Sequence, residues 1–520
     1  MGRTVSAWVT SGEEVLGLAG PFSMDIPWWA EVEQLLGHLR RMLEAEVAVL
    51  RLLRVEGGEG GRDGHAVYHA EALERPARLP AAERPVHVEA PESPERVQPS
   101  ERPAGAEREW VPGVEARRRT GRDVTPVLAS RSVAASRSGS GWESGSESGS
   151  GSRSESGWVR EDLAAIAGNH ELRAPWARAE GLREAFAWAA DALARAGRPL
   201  NGPIRQRRTW NLAGLFRLPT DRGPVWLKTT PRFAADEAAV IAAFARHDPG
   251  LVPAVIAADR GRVLLDHVPG EDCWDAGEDV VTSAVARLVA AQAALAREAL
   301  AREPRAGETR AGEDRAGDAA GPSRVAWDDR LVLDDRRGPV VAGLVRDLLA
   351  GDVGRELTAE EVSRALELVE RWPLLAECGL PATIVHGDFH PGNLRGDGGP
   401  PRVLDFADAH FGDPVLDGLR IRDFLPRAAR PAAARAWADA WASEVPGCDP
   451  ARALALAEPL AHLVYAVRYQ EFLDGIEPSE RVYHLGDPAA VIRKALRLAA
   501  APAADAPAAV AGSAGGCPVA

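Results

Sequence analysis

Residues 384–393 read IVHGDFHPGN, and they are the most informative segment of this 520-residue chain. The apolar start predicts a strand, and Gly387 marks its end. Asp388 follows at once, and Asn393 comes five residues after Asp388. A second apolar run ends in Asp405. Because strand ends and loops on a rigid scaffold expose functional side chains, we expect these three polar residues to meet at one edge.

The three polar side chains suit magnesium and phosphate chemistry. Two carboxylates and an amide oxygen are hard ligands of the kind that Mg²⁺ prefers. Phosphoryl transfer needs a metal ion to neutralise developing charge and a carboxylate to orient the attacking hydroxyl. The spacing from Asp388 to Asn393 is that of the protein-kinase catalytic loop, and Asp405 corresponds to the metal-binding aspartate of the kinase DFG motif. The pattern therefore predicts a phosphoryl-transfer site.

Lysine is so rare in this chain that its position is informative. The chain has 62 Lys and Arg residues, of which only Lys228 and Lys494 are lysines. Lys228 falls on a predicted strand, where a compact charge on a thin stem fits a narrow phosphate site that Arg does not. Glu237 lies on the apolar face of a predicted helix at 232–246, and a buried carboxylate is costly without a cation. We therefore expect the two to pair; a surface lysine and a solvated glutamate are the alternative.

The segments around Lys228 predict an antiparallel sheet. Strands are expected at three places, 204–210, 215–218 and 224–229. The turn at 211–214 is small and polar enough to lie over phosphates. A further strand at 262–265 runs into a Pro-Gly connector. Such a connector suits a hinge between two lobes, and its backbone could bind the edge of adenine.

Three motifs in the same order resemble those of the aminoglycoside phosphotransferase family, which includes enzymes similar to choline kinase. They are HGDFHPGN at 386–393, VLDF at 403–406 and GDPVLD at 412–417. The resemblance spans about residues 180–498. It implies an α+β, bilobal, protein-kinase-like fold, in which the N-terminal lobe is an antiparallel sheet with one helix and the C-terminal lobe is mostly helical.

The resemblance also implies roles for the residues in these motifs. Asp388 would be the catalytic base or would orient the acceptor hydroxyl, and Asn393 and Asp405 would bind Mg²⁺. In this chain Asp405 is followed by Phe406 and Ala407, so the glycine of the DFG motif is missing. The family varies at that position, so the departure does not change the assignment.

Upstream, the resemblance implies the residues that would bind the nucleotide. Lys228 would hold the α- and β-phosphates of ATP, and Glu237 would fix Lys228. Asp266 and Val268 would contact adenine through their backbone at the hinge. ATP and Mg²⁺ would then be the cofactors.

Four further residues near the motifs favour structural roles. His386 is expected to brace the loop, because the neighbouring aspartate already fills the acid–base role. His390 could contact a substrate from the loop, and packing is the alternative. The Gly-Asp-Pro turn favours helix capping by Asp413 and Asp417.

The chain after the third motif is expected to be helical and to hold the acceptor. Helices are predicted at 419–425, 431–443, 449–473 (broken or kinked at Pro459) and 489–499. In the family that this chain resembles, the acceptor pocket lies between such helices and the catalytic loop. Tyrosine and acidic residues cluster there, namely Tyr465, Tyr469, Glu471, Asp474 and Glu477. An acidic, aromatic pocket would suit an amine-bearing acceptor, and a solvated helix face is the alternative.

Composition divides the chain into four parts. Residues 1–125 would form a small α+β region of unknown role, with a helix at 27–46 and strands at 47–55 and 65–73. The remaining parts are a Ser/Gly-rich disordered linker at 126–160, a kinase-like domain at 161–500 (lobes at about 180–268 and 269–500, with a charged disordered insertion at 302–323), and a disordered tail at 501–520.

The overall composition excludes some classes of function. Asp and Glu outnumber Lys and Arg by 76 to 62, for a net charge of −14, which argues against a general nucleic-acid binder. The four cysteines are scattered and form no CxxC pair, so neither a disulfide framework nor a zinc cluster is indicated. No uncharged apolar run reaches membrane-spanning length. We therefore expect a cytoplasmic protein that binds neither nucleic acid nor membrane.

These observations together predict an ATP- and Mg²⁺-dependent kinase that phosphorylates a hydroxyl of a small molecule. An alternative from another class is a catalytically weak or inactive nucleotide-binding regulatory protein. A protein kinase is a second alternative, but the His-Gly-Asp form and the lack of an Ala-Pro-Glu segment after Asp405 disfavour it. The sequence does not identify the acceptor.

Overall fold

The computed structural model describes residues 3–58, 60–76, 155–302 and 323–500. The predicted tail at 501–520 lies outside the described residues, as do most of the predicted linker and most of the predicted insertion.

The first 76 residues form a mixed sheet covered by one helix. Its elements are β1 (Arg3–Ser11), β2 (Glu14–Met24), α1 (Glu33–Leu43), β3 (Val47–Glu56) and β4 (His65–Ala72), and the strand order is β2-β1-β4-β3. β1 runs parallel to β4, and the other pairs are antiparallel. We call residues 3–76 the N-terminal unit.

Sequence analysis predicts α1, β3 and β4 in this unit but misses β1 and β2. α1 carries buried leucines at helical spacing, a strong signal. β1 is buried along nearly its whole length and includes the polar residues Arg3, Ser6 and Thr10. Its sequence therefore lacks the apolar–polar alternation that marks a half-buried strand.

Two helices follow the undescribed stretch. They are α2 (Glu155–Ala167) and α3 (Ala179–Arg195), with a short 3-10 helix at Pro175–Ala177 between them. α2 is tied to the N-terminal unit, because Trp8 Nε1 donates to Asp162 Oδ2 at 3.0 Å. The helix begins at Glu155, within the stretch that sequence analysis assigns to a linker.

A five-stranded antiparallel sheet forms the N-terminal lobe. Its elements are β5 (Arg205–Trp210), β6 (Ala213–Leu218), β7 (Val225–Thr229), α4 (Glu237–Ala245), β8 (Val255–Asp259) and β9 (Arg262–Asp266), in the strand order β5-β6-β7-β9-β8. Side chains alternate between two cores: Phe216 and Leu227 pack with α3, whereas Leu215 packs with α4. The sheet is thus covered by a helix on each face.

The C-terminal lobe is mostly helical. Its helices are α5 (Glu278–Arg302), α6 (Gly338–Ala350), α7 (Asp352–Arg355), α8 (Ala359–Val369), α9 (Trp372–Ala376), α10 (Val415–Phe424), α11 (Arg430–Glu444), α12 (Pro450–Gly475) and α13 (Asp487–Ala500), with 3-10 helices at Pro391–Asn393 and Pro478–Tyr483. Its short strands are β10 (Glu271–Asp272), β11 (Arg324–Ala326), β12 (Val332–Arg336), β13 (Thr383–Val385), β14 (Leu394–Gly396), β15 (Arg402–Val403) and β16 (His410–Gly412). They form two sheets, β10-β14-β15 and β11-β12-β16-β13.

α12 and α5 are the two longest helices of this lobe among the described residues. α12 continues past Pro459, where a break or a kink is predicted, so the helix is not broken there. Pro459 and most of its neighbours are buried, so tertiary packing outweighs the local cost of about 3 kcal/mol. α5 includes the one stretch in the described part of the chain, Glu278–Ala301, that is apolar and long enough to cross a membrane, and 56% of its most apolar window is buried inside the protein.

The predicted fold class is confirmed. An antiparallel sheet with its helix α4 is followed by a mostly helical lobe, which is the α+β, kinase-like order that the motifs imply. The segment between β9 and β10 connects the two lobes, and β10 pairs with β14 in one of the two small sheets of the C-terminal lobe.

Candidate active site

Short strands bring the predicted site residues together. β13 ends at Val385, and the loop after it holds Asp388 before the 3-10 helix that ends at Asn393. β14 then pairs with β15, and the N–H of Leu404 donates to the carbonyl of Asn393 at 2.8 Å. Asp405 is the next residue, so the two strand ends deliver all three polar side chains to one region, as the sequence predicts.

Asp388 is buried and held on both carboxylate oxygens. Arg420 donates to Oδ1 from Nε at 2.8 Å and from Nη2 at 2.6 Å. Asn393 Nδ2 donates to Oδ2 at 3.2 Å and to the backbone carbonyl of Asp388 at 2.9 Å. Burial alone would raise the pKa of Asp388, but Arg420 and His390 outweigh burial and lower this pKa to about 2. The carboxylate is therefore ionised at neutral pH.

Sequence analysis misses Arg420. This residue lies on α10, buried between rings, with its guanidinium carbon 4.5 Å from the ring centre of Phe424 and 5.1 Å from that of Tyr465. Its position three residues after Asp417 places it one helical turn from the catalytic loop. In a chain rich in arginine, nothing in the sequence separates this residue from a surface arginine.

The loop that carries Asp388 is braced from behind. Asp417 accepts from the N–H of His386 at 2.8 Å and from the N–H of Gly387 at 3.0 Å. His386 Nδ1 accepts from the N–H of Asp388, and Nε2 lies 3.0 Å from the carbonyl of Leu404. His386 thus braces the loop as predicted, whereas Asp417 holds the loop rather than capping a helix.

Two further residues of the motif are needed for the shape of this loop. Gly387 has φ of 84°, and a Cβ there would lie 2.3 Å from the carbonyl oxygen of Asp408, so only glycine fits. His390 is fully buried and stacks between Trp274 and Phe424. Its Nε2 lies 3.3 Å from Asp388 Oδ2, so it orients the aspartate and does not face a substrate.

Lys228 lies at the centre of a second charged cluster. Its Nζ is 2.8 Å from Glu237 Oε2 and 2.5 Å from Asp405 Oδ1, and all three side chains are buried. Glu237 Oε1 accepts from the N–H of Phe406 at 3.1 Å. Burial acts against the charge of Lys228, but the carboxylates of Asp405 and Glu237 outweigh burial and raise its pKa. The structure therefore brings together the predicted pair and adds Asp405 to it.

Asp405 has an unusual backbone conformation. Its φ is 68°, in the left-handed region that a non-glycine residue rarely adopts. Conformations of this kind cost about 1–3 kcal/mol and concentrate where a surrounding structure needs a side chain at one place. Here the strained residue is the one that contacts Lys228, across the boundary between the lobes.

The expected hinge lies beside a small apolar cavity. Asp266 ends β9, and Val268 follows in the connector. The cavity is lined by Leu215, Trp226, Pro253, Leu265, Asp266, Val268, Arg395 and Leu404. The carbonyl of Val268 accepts from Arg395 Nε at 2.7 Å, and the Asp266 carboxylate pairs with Arg198 at 2.9 Å. The predicted adenine positions thus face a cavity between the lobes, and two of their polar groups are engaged by arginines.

A second cavity, of about 50 Å³, opens beside Asp388. We call it the catalytic cavity; it is lined by Trp210, Leu212, Arg336, Gly387, Asp388, Asp408, His410, Leu416, Arg420, Val464, Tyr465, Arg468, Tyr469, Phe472 and His484. Two tyrosines predicted for the acceptor pocket, Tyr465 and Tyr469, are among these residues. The lining is mixed in charge, with three arginines and two aspartates.

The acidic residues predicted for this pocket are engaged elsewhere. Glu471 pairs with Arg336 and with Arg468. Glu477 pairs with arginines of the N-terminal half, and Asp474 is exposed and accepts from Gln470. None of the three lines the catalytic cavity in the described part of the chain. The expectation of an acidic pocket is therefore wrong, because arginines pair with Glu471 and Glu477 and Asp474 is exposed.

The residues that would bind Mg²⁺ fit such an ion. Asn393 is fully buried, and its Oδ1 has no hydrogen-bond partner in the described structure. An unpartnered buried amide oxygen beside an aspartate is a suitable set for a hard cation that shares its ligands with phosphates. Among the described residues, no three His, Cys, Asp or Glu side chains form a cluster that could hold a metal by themselves. Asn393 and Asp405 would hold the ion, and phosphate oxygens of the nucleotide would supply further ligands.

One family model matches a central segment of this chain. Residues 214–454 match the model of the phosphotransferase enzyme family. The family resemblance that the three motifs indicate is therefore confirmed for this segment. No curated protein matches the sequence significantly.

Solved structures of small-molecule kinases align with about three fifths of the chain. Macrolide 2'-phosphotransferase MphH from Brachybacterium faecium is 21% identical, with 59% of this chain and 98% of that chain covered and a TM-score of 0.39. A choline/ethanolamine kinase family protein from Mesorhizobium loti is 16% identical, with 61% and 96% covered and a TM-score of 0.40. Choline kinase from Cryptosporidium parvum is 9% identical, with 60% and 95% covered and a TM-score of 0.39.

Proposed function

We propose that this protein transfers the γ-phosphoryl group of ATP, with Mg²⁺, to a hydroxyl of a small molecule. The family match supports small-molecule phosphotransferase activity at the level of class. The observation that carries the proposal is the buried cluster in which Lys228 joins Glu237 to Asp405, next to the loop of Asp388 and Asn393. Burial of a lysine between two carboxylates carries a desolvation cost that favours a functional explanation over a purely stabilising one.

The nucleotide would bind between the lobes. Lys228 would exchange its contact with Asp405 for the α- and β-phosphates, while Glu237 keeps the ammonium in place. Asp405 and the free Oδ1 of Asn393 would then hold Mg²⁺, which neutralises charge on the phosphates during transfer. The apolar cavity at Asp266 and Val268 would receive the adenine.

Asp388 would act on the acceptor hydroxyl. With a pKa of about 2 it is ionised at neutral pH, so it is a weak base but a strong hydrogen-bond acceptor. Phosphoryl transfer passes through a loose transition state, in which positioning of the hydroxyl matters more than early removal of its proton. Arg420 would keep the carboxylate pointed into the catalytic cavity, where Tyr465 and Tyr469 would contact the acceptor.

We propose a hydroxyl, and not an amine, as the feature of the acceptor that the site reads. Two of the three carboxylates that would have bound an amine, those of Glu471 and Glu477, are paired with arginines, and three arginines line the catalytic cavity. An amine-bearing acceptor would then gain little from charge and would depend on contacts with the tyrosine rings.

The direct test is release of ADP from MgATP over a panel of hydroxyl compounds. The panel would hold sugars, amino alcohols, hydroxy acids, aminoglycosides and macrolides, with Asp388→Asn as the paired variant. We expect at least one class to stimulate ADP release by the natural protein only. A protein that binds MgATP but releases no ADP with any acceptor or with water would support the inactive regulatory alternative instead.

A further inference from the structure

The N-terminal unit lies outside the family match, yet it is attached to the phosphotransferase domain at specific points. On the side of the N-terminal lobe it contacts β5, the edge strand of the five-stranded sheet. The side chain of Gln206 accepts from the N–H of Val49 at 2.9 Å and donates to the carbonyl of Val49 at 2.8 Å. The N–H of Thr209 donates to the carbonyl of Ala30 at 3.2 Å. The edge strand is thus pinned to the unit along its length.

The same unit is also attached to the C-terminal lobe. It contacts the 3-10 helix at Pro478–Tyr483, which follows α12. Tyr483 is part of the hydrophobic core of the N-terminal unit, where its ring lies 5.4 Å from that of Trp29. The N–H of Leu52 donates to Glu480 Oε1 at 3.2 Å. One compact unit therefore contacts both lobes, in addition to the hinge after β9.

Glu480 is the point at which three parts of the chain meet. Its side chain is buried and accepts from Leu52 of the N-terminal unit. Its backbone carbonyl accepts from Asn211 Nδ2 at 3.4 Å, and Asn211 belongs to the turn between β5 and β6. The flanking residues of that turn, Trp210 and Leu212, line the catalytic cavity together with Asp388.

We infer that Glu480 is a positioning residue for phosphoryl transfer: it locks the N-terminal unit and the β5–β6 turn to the C-terminal lobe, so that residues 3–76 fix the turn above Asp388. The inference rests on the proposed function. The hinge after β9 is the first connection between the two lobes. The N-terminal unit is a second connection. It holds the turn through β5 and through the 3-10 helix at Pro478–Tyr483.

The physical reason is the cost of loosening a buried contact. Without the carboxyl group of Glu480, the N–H of Leu52 is buried and unsatisfied, which favours separation of the unit from the lobe. The β5–β6 turn is then no longer held in one position beside the catalytic cavity. Small displacements of groups that position a substrate have large effects on binding and rate. The residue acts through the turn and does not itself contact the cavity.

The test uses the full chain with Glu480→Ala and Glu480→Gln, and with Glu367→Ala as the control. Glu367 is an exposed acid on α8. The glutamine side chain retains an oxygen that can accept from Leu52. We expect Glu480→Ala to raise KM for MgATP about tenfold, with kcat within about threefold of the natural protein. Glutamine should restore KM to within about threefold, and Glu367→Ala should change neither constant.

A role in folding alone gives a different result. Loss of folded protein lowers apparent kcat and leaves KM unchanged, and glutamine would then offer no specific rescue; either observation would overturn the inference. If Glu480→Ala fails to fold, Asn211→Ala takes its place. That change removes only the contact between the turn and the Glu480 carbonyl, and it should raise KM about threefold.

Hydrogen exchange separates this inference from the proposed function. We expect amides of 205–218 to exchange faster in Glu480→Ala than in the natural protein, with Glu480→Gln like the natural protein. This measurement needs no nucleotide and no acceptor. Unchanged exchange in Glu480→Ala would overturn the positioning role even if the protein is a kinase. Faster exchange in a protein without phosphotransfer activity would uphold the attachment and reject the proposed function.

Discussion

The two charged clusters of the candidate site are built in different ways. The lysine cluster joins the lobes, because Lys228 lies on β7 and Asp405 follows β15. The aspartate cluster lies within the C-terminal lobe, because Asp388 and Arg420 both belong to it. Both are buried, and both hold an acid against a base at hydrogen-bond distance.

This difference indicates a division of labour. A cluster within one lobe keeps its geometry when the lobes move, so Asp388 is organised before any ligand binds. A cluster that spans the lobes changes as soon as they separate or a phosphate competes for the ammonium. We therefore expect changes at Asp388 to affect the chemical step, and changes at Lys228 to affect the use of MgATP.

The largest effect is expected at Asp388. Asp388→Asn preserves the shape and removes the charge that orients the hydroxyl, so turnover should fall about 10²-fold or more while MgATP still binds. ADP release and nucleotide binding measure the two parts. The variant also leaves Arg420 without its carboxylate, so circular dichroism must show that it is folded.

Asp413→Asn is the matched control for that variant. Asp413 is a partly buried acid between β16 and α10, and desolvation raises its pKa to about 6. Its Oδ1 accepts from the N–H of Val415, which an asparagine oxygen can also do. Turnover should stay within about threefold of the natural protein. Equal losses in the two variants would mean that the Asp388 effect reflects packing and not charge.

A smaller effect, on nucleotide use, is expected at Lys228. Lys228→Ala should lower kcat/KM for MgATP about tenfold or more and leave the fold intact. Lys228→Arg should not restore it, because a planar fork does not fit a site that holds a point charge between two carboxylates. Steady-state rates at varied MgATP decide the matter. Near-normal kcat/KM in the arginine variant would show that the site does not need an ammonium.

Removal of Arg420 should appear as a shift in pH dependence. Burial would raise the pKa of Asp388, and Arg420 is the main group that opposes burial. In Arg420→Gln this pKa should rise by about three units, because no other group opposes burial as strongly as Arg420. The ionised carboxylate is the active form, so the acid limb of kcat/KM moves from near pH 2 towards neutral pH. A pH–rate profile from pH 4 to 8 measures it, and a variant with the profile of the natural protein would contradict the pairing.

The smallest effect on activity is expected for Glu480→Gln, which instead changes the pH dependence of stability. Burial and repulsion from Glu477 raise the pKa of Glu480 to about 8, although Arg51 and Arg173 face it. Between pH 5 and 8 the unfolded state has lost this proton and the native state retains it, so the free energy of unfolding falls as pH rises. Glu480→Gln should remove most of that fall, which is about 3 kcal/mol between pH 5 and pH 8. Urea unfolding at pH 5 and pH 8 measures the difference; identical slopes would mean that Glu480 is ionised throughout.

The sequence alone predicts those site residues whose type and spacing the chemistry requires. Asp388, Asn393 and Asp405 are predictable because strand ends and fixed spacings constrain them. Lys228 is predictable because lysine is rare in this chain. Glu237 is predictable because a carboxylate on an apolar helix face needs a partner. In each case a local pattern states a physical demand, and the structure brings the expected side chains together.

The remaining contacts depend on distant parts of the chain. Arg420 and Arg336 resemble the many other arginines until the fold brings them to Asp388 and Glu471. The role of Glu480 requires contacts with Leu52 and Asn211, which are hundreds of residues away in sequence. Such pairs leave no periodicity or motif, so only the assembled structure reveals them.

The central expectation is that Lys228 exchanges its contact with Asp405 for the phosphates when MgATP binds. Calorimetric titration of ATP with and without Mg²⁺, on the natural protein and on Asp405→Asn, tests it without any acceptor. We predict that Mg²⁺ tightens ATP binding to the natural protein by about tenfold, and that this gain is lost in Asp405→Asn. Equal gains in the two proteins, or no ATP binding by the natural protein, would contradict the account.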